Sequence, residues 1–241
     1  MPVLEVKDLS IGFEGKFILE GVSFSIEKPS FVAIIGHNGC GKTTFFKALI
    51  QSHPYVGEIF LFDKKVKKTA VSPKQIAILE QKNLIYFQIK VKDIVVMGLF
   101  REKGLFENYT SQDYDRVREI LNFLGREDLY DKTFNQLSGG EQQLVWIAQM
   151  MIQDAEIYLL DEPTQYLDLY YKNVLFDLMQ EWVSKFNKTV LCITHDLYYL
   201  ETMEGYLLNF TQPDSGLQQL NKACLEKNVS AILQRIPARI F

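Results

Sequence analysis

Apolar and polar residues alternate in "VLEVKDLSIGF" and again in "GVSFSIE". A period of two predicts strands with one packed and one solvated face, as in an antiparallel sheet. The next segment, "FVAIIG", abandons the alternation, and its unbroken apolar run predicts a strand buried on both faces of a parallel sheet. "KTTFFKALIQS" then predicts a helix, "GEIFLFDKKVKK" a small hairpin with a basic end, and "KQIAILEQ" another buried strand. From about residue 91 to 151 the pattern is helical, and "SQDYDRVREILNFLG" carries a serine start and a glycine stop. Strand signals return in "AEIYLLDE" and "KTVLCITHD", on either side of the helix "LYYKNVLFDLMQEWVSKF". The succession predicts a parallel α/β core interrupted by a helical insert. Near the end, Leu225, Val229, Ile232, Leu233 and Ile236 recur at helical spacing. The polar face there is mixed in charge, which predicts a packed helix and not a membrane-surface one.

Composition adds limits. The 241 residues suffice for one extended α/β domain or a main domain with a subdomain, and 47% hydrophobic with 23% charged residues is ordinary for a globular chain. There is no internal repeat and no low-complexity linker. A net charge of −4 gives no reason to expect nucleic acid as a partner. Cys40, Cys192 and Cys224 are widely spaced, without a CxxC pair, and read as reduced thiols rather than a disulfide framework or a zinc site. "MPVLEVKDLS" lacks the basic segment and apolar core of a signal peptide, and no apolar run approaches the ~18 residues that span a bilayer. The expectation is a cytoplasmic protein whose membrane role, if it has one, comes through a partner.

Residues 36–44, "GHNGCGKTT", fit the pattern G-x-x-x-x-G-K followed by Ser or Thr, with a buried strand leading in and a helix leading out. Gly36, Gly39 and Gly41, with Asn38, Cys40 and Thr44 between and beside them, let backbone N–H groups wrap a phosphate. Lys42 brings positive charge to the β/γ oxygens, and the Thr43 hydroxyl can ligate Mg²⁺. "IYLLDEPT" ends a buried strand in Asp161 and Glu162, at the carboxyl end where α/β sheets bind ligands. Neighbouring strand residues point oppositely, so one carboxylate held near Mg²⁺ and the other aimed at an attacking water is a sensible division. A second anion-suited helix start lies at "LSGGEQQLVWIAQMM", residues 137–151, where Gly139 and Gly140 leave N–H groups bare.

With "GHNGCGKTT", "LSGGEQQ", "IYLLDEPTQYLD" and "CITHD" in this order, the chain resembles the nucleotide-binding subunit of ATP-binding cassette (ABC) transporters over about residues 4–196. The resemblance implies an α/β fold: a P-loop (RecA-like) mixed sheet core, an N-terminal antiparallel β-subdomain, and an α-helical insert carrying the LSGG signature. It implies one ATPase domain over 1–241, with 1–85 and 152–210 as the ATP-binding core, 86–151 as the helical subdomain and 211–241 as a C-terminal tail. Two cassettes, a second copy or a homologous ATPase subunit, would close head to tail on two ATP molecules with Mg²⁺. Ser138, Gly139 and Gly140 of one would then cap the γ-phosphate held by the other. The same resemblance assigns Phe13 to stacking on adenine, a core aromatic being the other reading. It assigns Gln81 to Mg²⁺ or water and to sensing the transport partner, and Asp168 to the dimer seam, where it can also cap the following helix. His195 is expected at the γ-phosphate, Asp161 at the metal and Glu162 as general base. His37 and His53 gain no such support and read as loop filler and surface. Cys40, among N–H donors beside Lys42, is expected to favour a thiolate and to be open to alkylation, with ATP protecting it, while for normal function it reads as a small residue that fits the loop.

"KVKDIVVMGLFREKGLF", "SQDYDRVREIL" and "LDEPTQYLDLYYK" resemble subunits of metal-chelate importers for iron-siderophores, haem or cobalamin, while "MGLF…GLF" is also similar to zinc and manganese importer subunits. These imply import through integral membrane permease subunits, an extracytoplasmic substrate-binding protein engaged only indirectly, and a place on the cytoplasmic face of the inner membrane. A soluble ABC-type ATPase of iron–sulfur cluster assembly is the competing class; a chromosome-structure ATPase would need long heptad arms, and none is visible. Two stretches depart from the family pattern: Gln142, Leu144 and Gln149 stand where arginines are common, and "LYYLETMEGYLLNFTQPDSG" matches an expected glycine-rich strand pair poorly.

Overall fold

In the computed structural model, which describes residues 1–13, 15–66, 74–80, 87–100, 103, 107–212 and 216–234, the two alternating segments pair antiparallel as β1 (Leu4–Phe13) and β2 (Lys16–Ile26). The buried residues of β1 are Leu4, Val6, Leu9 and Ile11, and the step from Val6 to Leu9 would put the second pair on the wrong face of a regular strand. A bulge corrects it. The register shifts between Val6 and Leu9, Asp8 takes φ 47°, and its N–H donates to Ser23 Oγ at 2.9 Å. The predicted hairpin forms as β4 (Val56–Leu61) and β5 (Lys64–Lys65), giving an antiparallel sheet in the order β2-β1-β4-β5.

The core sheet is built from β3 (Phe31–Ile35), β6 (Ile76–Leu79), β7 (Ile157–Asp161) and β8 (Thr189–Ile193), joined by β9 (Tyr206–Asn209) and β10 (Gln218–Gln219) in the order β10-β9-β3-β8-β7-β6. All its pairings are parallel except β10 on β9. The unbroken apolar runs are explained by the two cores the sheet separates. Phe31, Ala33, Ile35, Leu160 and Cys192 face the helical insert and α5 (Leu169–Ser184), whereas Val32, Ile34, Leu159, Leu191 and Ile193 face α1 (Lys42–Leu49) and the antiparallel sheet. β9 and β10 form a strand pair without the glycines the sequence reading looked for; their four- and two-residue lengths carry too little periodicity to be read.

The insert contains α2 (Val91–Val96), α3 (Ser111–Phe123) and α4 (Gly139–Met151). α3 starts one residue earlier than its serine suggests, because Thr110 is the cap: its side chain accepts from Asp113 N–H while Asp113 accepts from Thr110 N–H, a reciprocal capping box. After Asp196 comes the short α6 (Leu197–Leu200), and the tail forms α7 (Lys222–Gln234), with Leu225 buried, Val229 and Ile232 half-buried, and Leu233 exposed. Ile236, Gln81 and part of the "FREKGLF" run lie outside the described residues. Among the described residues, no helix is long and apolar enough to cross a membrane.

Leucines alone do not hold α7. Asn228 is only 2% exposed and accepts from Asn209 Nδ2 at 2.9 Å, while Asn209 Oδ1 takes Thr211 N–H at 2.9 Å. Asn228→Ala strands the Asn209 amide without that partner, and an unpaired buried polar group costs about 1–3 kcal/mol. Thermal melts are expected to fall by several degrees for Asn228→Ala and to stay at the parent value for Leu233→Gln, on the exposed side of the same helix.

Candidate active site

The strand register sets the site. Ile34 of β3 lies opposite Ile193 of β8, which lies opposite Asp161 of β7, so the chain leaves all three strands at one edge of the sheet. From β3 it enters the glycine loop, where Gly36 sits so tightly that a Cβ would come 2.6 Å from Cys40 Sγ. Gly41 then adopts φ 98°, a left-handed conformation open to glycine, and α1 begins at once with Lys42. α1 has no side-chain cap and no acidic residue in its first turn, which leaves its positive end turned to an anion. It borders a cavity of about 640 Å³ lined by Phe13, Ile18, Asn38, Gly39, Gly41, Lys42, Thr43, Thr44, Glu162, Gln165 and His195.

Each charged group here has a defined partner. Lys42 Nζ is folded back onto its own loop, donating to Gly36 O at 2.8 Å and His37 O at 3.2 Å. Thr43 Oγ1 donates to Asp161 Oδ2 at 2.6 Å. Burial pushes the Asp161 carboxyl above its ordinary range; the Thr43 hydrogen bond opposes this, and the neighbouring Glu162 charge adds to it. Glu162 leaves β7 with φ 50°, its N–H bonded to Ile193 O at 2.9 Å, and its Oε1 lies 3.1 Å from His195 Nε2. A carboxylate only accepts, so Nε2 carries the proton in this pair. His195 is in turn flanked by Asp196, which pairs with Lys172 of α5 at 2.9 Å. Two adjacent acids therefore serve different neighbours, Asp161 the phosphate loop and Glu162 the histidine.

Ser138, Gly139, Gly140 and Asp168 are not among the residues lining this cavity. Ser138 caps α4 in a second capping box: Glu141 N–H donates to Ser138 Oγ at 3.3 Å, and Glu141 Oε2 accepts Ser138 N–H at 2.9 Å and its hydroxyl at 3.0 Å. Arg126, which the sequence reading passed over, donates to Glu141 Oε1 at 2.5 Å. That hydrogen bond first, with the Ser138 N–H second, holds the Glu141 carboxyl down to about 2. Of the residues standing in for arginines, Gln142 bonds Leu137 O at 3.2 Å and Leu144 is buried. Gln143 spans from α4 to Pro163 O at 2.9 Å, beside Glu162. Asp168 takes Tyr171 N–H at 2.9 Å as the cap of α5.

Phe13 is 56% exposed at the cavity wall, which favours an open platform over a core aromatic. His53 is more than surface: its ring lies 4.7 Å from that of Phe13, and its Nε2 lies 3.2 Å from Gly12 O. His37 is more than filler, because its backbone N–H donates to Thr211 Oγ1 at 3.1 Å. Arg126, His53 and Thr211 carry no local motif, since their partners are 15, 41 and 174 residues away in sequence.

The family description "ABC transporter" matches residues 19–165. The chain is 33% identical to the manganese transport system ATP-binding protein of Halalkalibacterium halodurans, over 83% of this chain and 79% of that one. It is 31% identical to the iron(3+)-hydroxamate import ATP-binding protein of Bacillus subtilis, over 86% and 78%. In structure it is similar to a metal-chelate type ABC transporter solved in an inward-facing conformation, with TM-score 0.82 and 25% identity over 97% of this chain and 90% of that one.

Cys40 corrects an expectation. It is 3% exposed, and burial raises its thiol pKa against the pull of Lys42 and the loop N–H groups, so the thiolate is disfavoured. Brief alkylation of the folded protein near neutral pH, followed by peptide mass analysis, is expected to label the half-buried Cys224 before Cys40, and to leave the fully buried Cys192 unlabelled until unfolding.

Proposed function

The chain belongs to the ABC transporter family as an ATP-hydrolysing subunit, and from that premise we propose that it powers import of a metal chelate through a separate membrane permease, working as a head-to-tail pair of cassettes. One observation carries the pairing. The capped start of α4 at Ser138 lies outside the cavity that holds the phosphate loop, so an anion seated on Lys42 and the α1 end is left for a second copy's Ser138, Gly139 and Gly140 to cover.

Phe13 stacks on the adenine, and the loop N–H groups take the phosphates. Lys42 exchanges the Gly36 and His37 carbonyls for phosphate oxygens. Thr43 Oγ1 and Asp161 Oδ2 form a hard oxygen pair that fits Mg²⁺, and that ion, when bound, offsets phosphate charge. Glu162 accepts the proton of the attacking water, and His195, 3.1 Å from Glu162, stands at the γ-phosphate. Asp168 lies at the seam between copies, and Gln81, outside the described residues, is assigned to the metal or water and to the permease contact. Import of a chelate is favoured by the iron(3+)-hydroxamate relative and by the metal-chelate type structural neighbour. A bare manganese or zinc cargo is the second reading, favoured by the manganese relative. On either reading this chain works at the cytoplasmic face of the membrane, and an extracytoplasmic binding protein is reached only through the permease.

Glu162→Gln is expected to keep ATP binding, to lose at least ~100-fold in turnover, and to form dimers with ATP in size-exclusion chromatography; near-normal turnover would remove Glu162 from its role. Affinity purification from detergent-solubilised membranes is expected to bring down a permease with many membrane spans. Recovery of the native protein only in a soluble complex would instead support an ATPase of iron–sulfur cluster assembly.

A further inference from the structure

Arg126 takes no part in the chemistry above, yet its side chain is only 14% exposed and holds three segments together. Its backbone is fixed by the end of α3: Arg126 N–H donates to Leu121 O at 2.7 Å and Gly125 N–H to Asn122 O at 2.9 Å, a Schellman turn. From there the guanidinium reaches Asp128 Oδ1 at 2.9 Å and Oδ2 at 3.3 Å, Glu141 Oε1 at 2.5 Å and the Tyr171 hydroxyl at 3.4 Å.

We propose that Arg126 is a positioning residue for the Ser138–Gly140 anion site, setting the Ser138 cap through Glu141 and aligning the starts of α4 and α5 through Tyr171. The inference rests on the reading that this segment covers a second copy's nucleotide. Glu141 is held at both ends, by Arg126 on Oε1 and by the Ser138 N–H and hydroxyl on Oε2. An unneutralised carboxylate in the first turn of α4 would repel the phosphate that this turn is to meet, and the guanidinium cancels that charge. Tyr171 lies in the first turn of α5, whose cap is Asp168, and a Cβ on Gly140 would come 3.1 Å from Tyr166 O just before it. The two helix starts therefore pack side by side, and one planar fork fixes both. A lysine has no such fork.

The test uses the full chain with Glu162→Gln as parent. ATP-driven dimerisation is followed by analytical ultracentrifugation, and nucleotide binding by the monomer is followed separately with a fluorescent ATP analogue at low protein concentration. Arg126→Ala is expected to weaken dimerisation about tenfold, the loss of a charge-assisted hydrogen bond, while the monomer's nucleotide affinity stays within about twofold because the phosphate loop is untouched. Adding Glu141→Gln, which keeps a capping residue and removes the orphaned charge, is expected to recover part of the loss. Parent-like dimerisation of Arg126→Ala, a parallel fall in monomer nucleotide affinity, or no recovery in the double variant would each overturn the assignment. Absence of ATP-driven dimers in the parent itself would instead strike the pairing of cassettes, and Arg126's role with it.

Discussion

Three parallel strands that end level with one another are the constraint on which this molecule depends. Ile34, Ile193 and Asp161 stand in register, so the glycine loop, the Glu162 turn and the His195 turn emerge at one edge. Nothing local to any one of those turns would bring a phosphate loop within hydrogen-bond reach of an acid 118 residues away, as Thr43 is with Asp161. Backbone ladders supply that placement, and ladders are stiff. A site whose groups the backbone already brings together loses less entropy when its side chains meet.

The sheet's second consequence is the division of the interior. Alternate residues of β3, β7 and β8 face different cores, with the helical insert and α5 on one side and α1 with the antiparallel sheet on the other. The cavity beside the glycine loop draws its lining from α1 and the antiparallel part, through Phe13, Ile18 and Thr43, and from the ends of the core strands, through Glu162 and His195. The α4 start is carried by the other core. Gln143, reaching Pro163 O, is a direct link between α4 and the turn that carries Glu162, so the two cores meet at that turn.

Much of this was legible in the sequence because the signals are local or periodic. Alternation marks β1 and β2, a continuous apolar run marks β3, and the glycine spacing marks the loop beside the cavity. What could not be read depends on distance in sequence or on burial. The Thr110 cap needed the reciprocal Asp113 bond, β9 and β10 were too short for a period, and His53 packs on Phe13 from 40 residues away. Cys40 was misjudged because proximity to Lys42 is visible in sequence whereas its burial is not. Arg126 follows an ordinary glycine stop, and nothing in "LGRED" announces a partner in the signature helix.

One thread joins the end of the chain to its chemistry. Asn228 of α7 meets Asn209, Asn209 meets Thr211, and Thr211 takes the N–H of His37 inside the phosphate loop. α7 is therefore not a surface appendage: Asn228 is linked through Asn209 and Thr211 to the glycine loop. For anyone grafting a reporter or an extra module onto this protein, a splice between Asn209 and Asn228 would cut the thread.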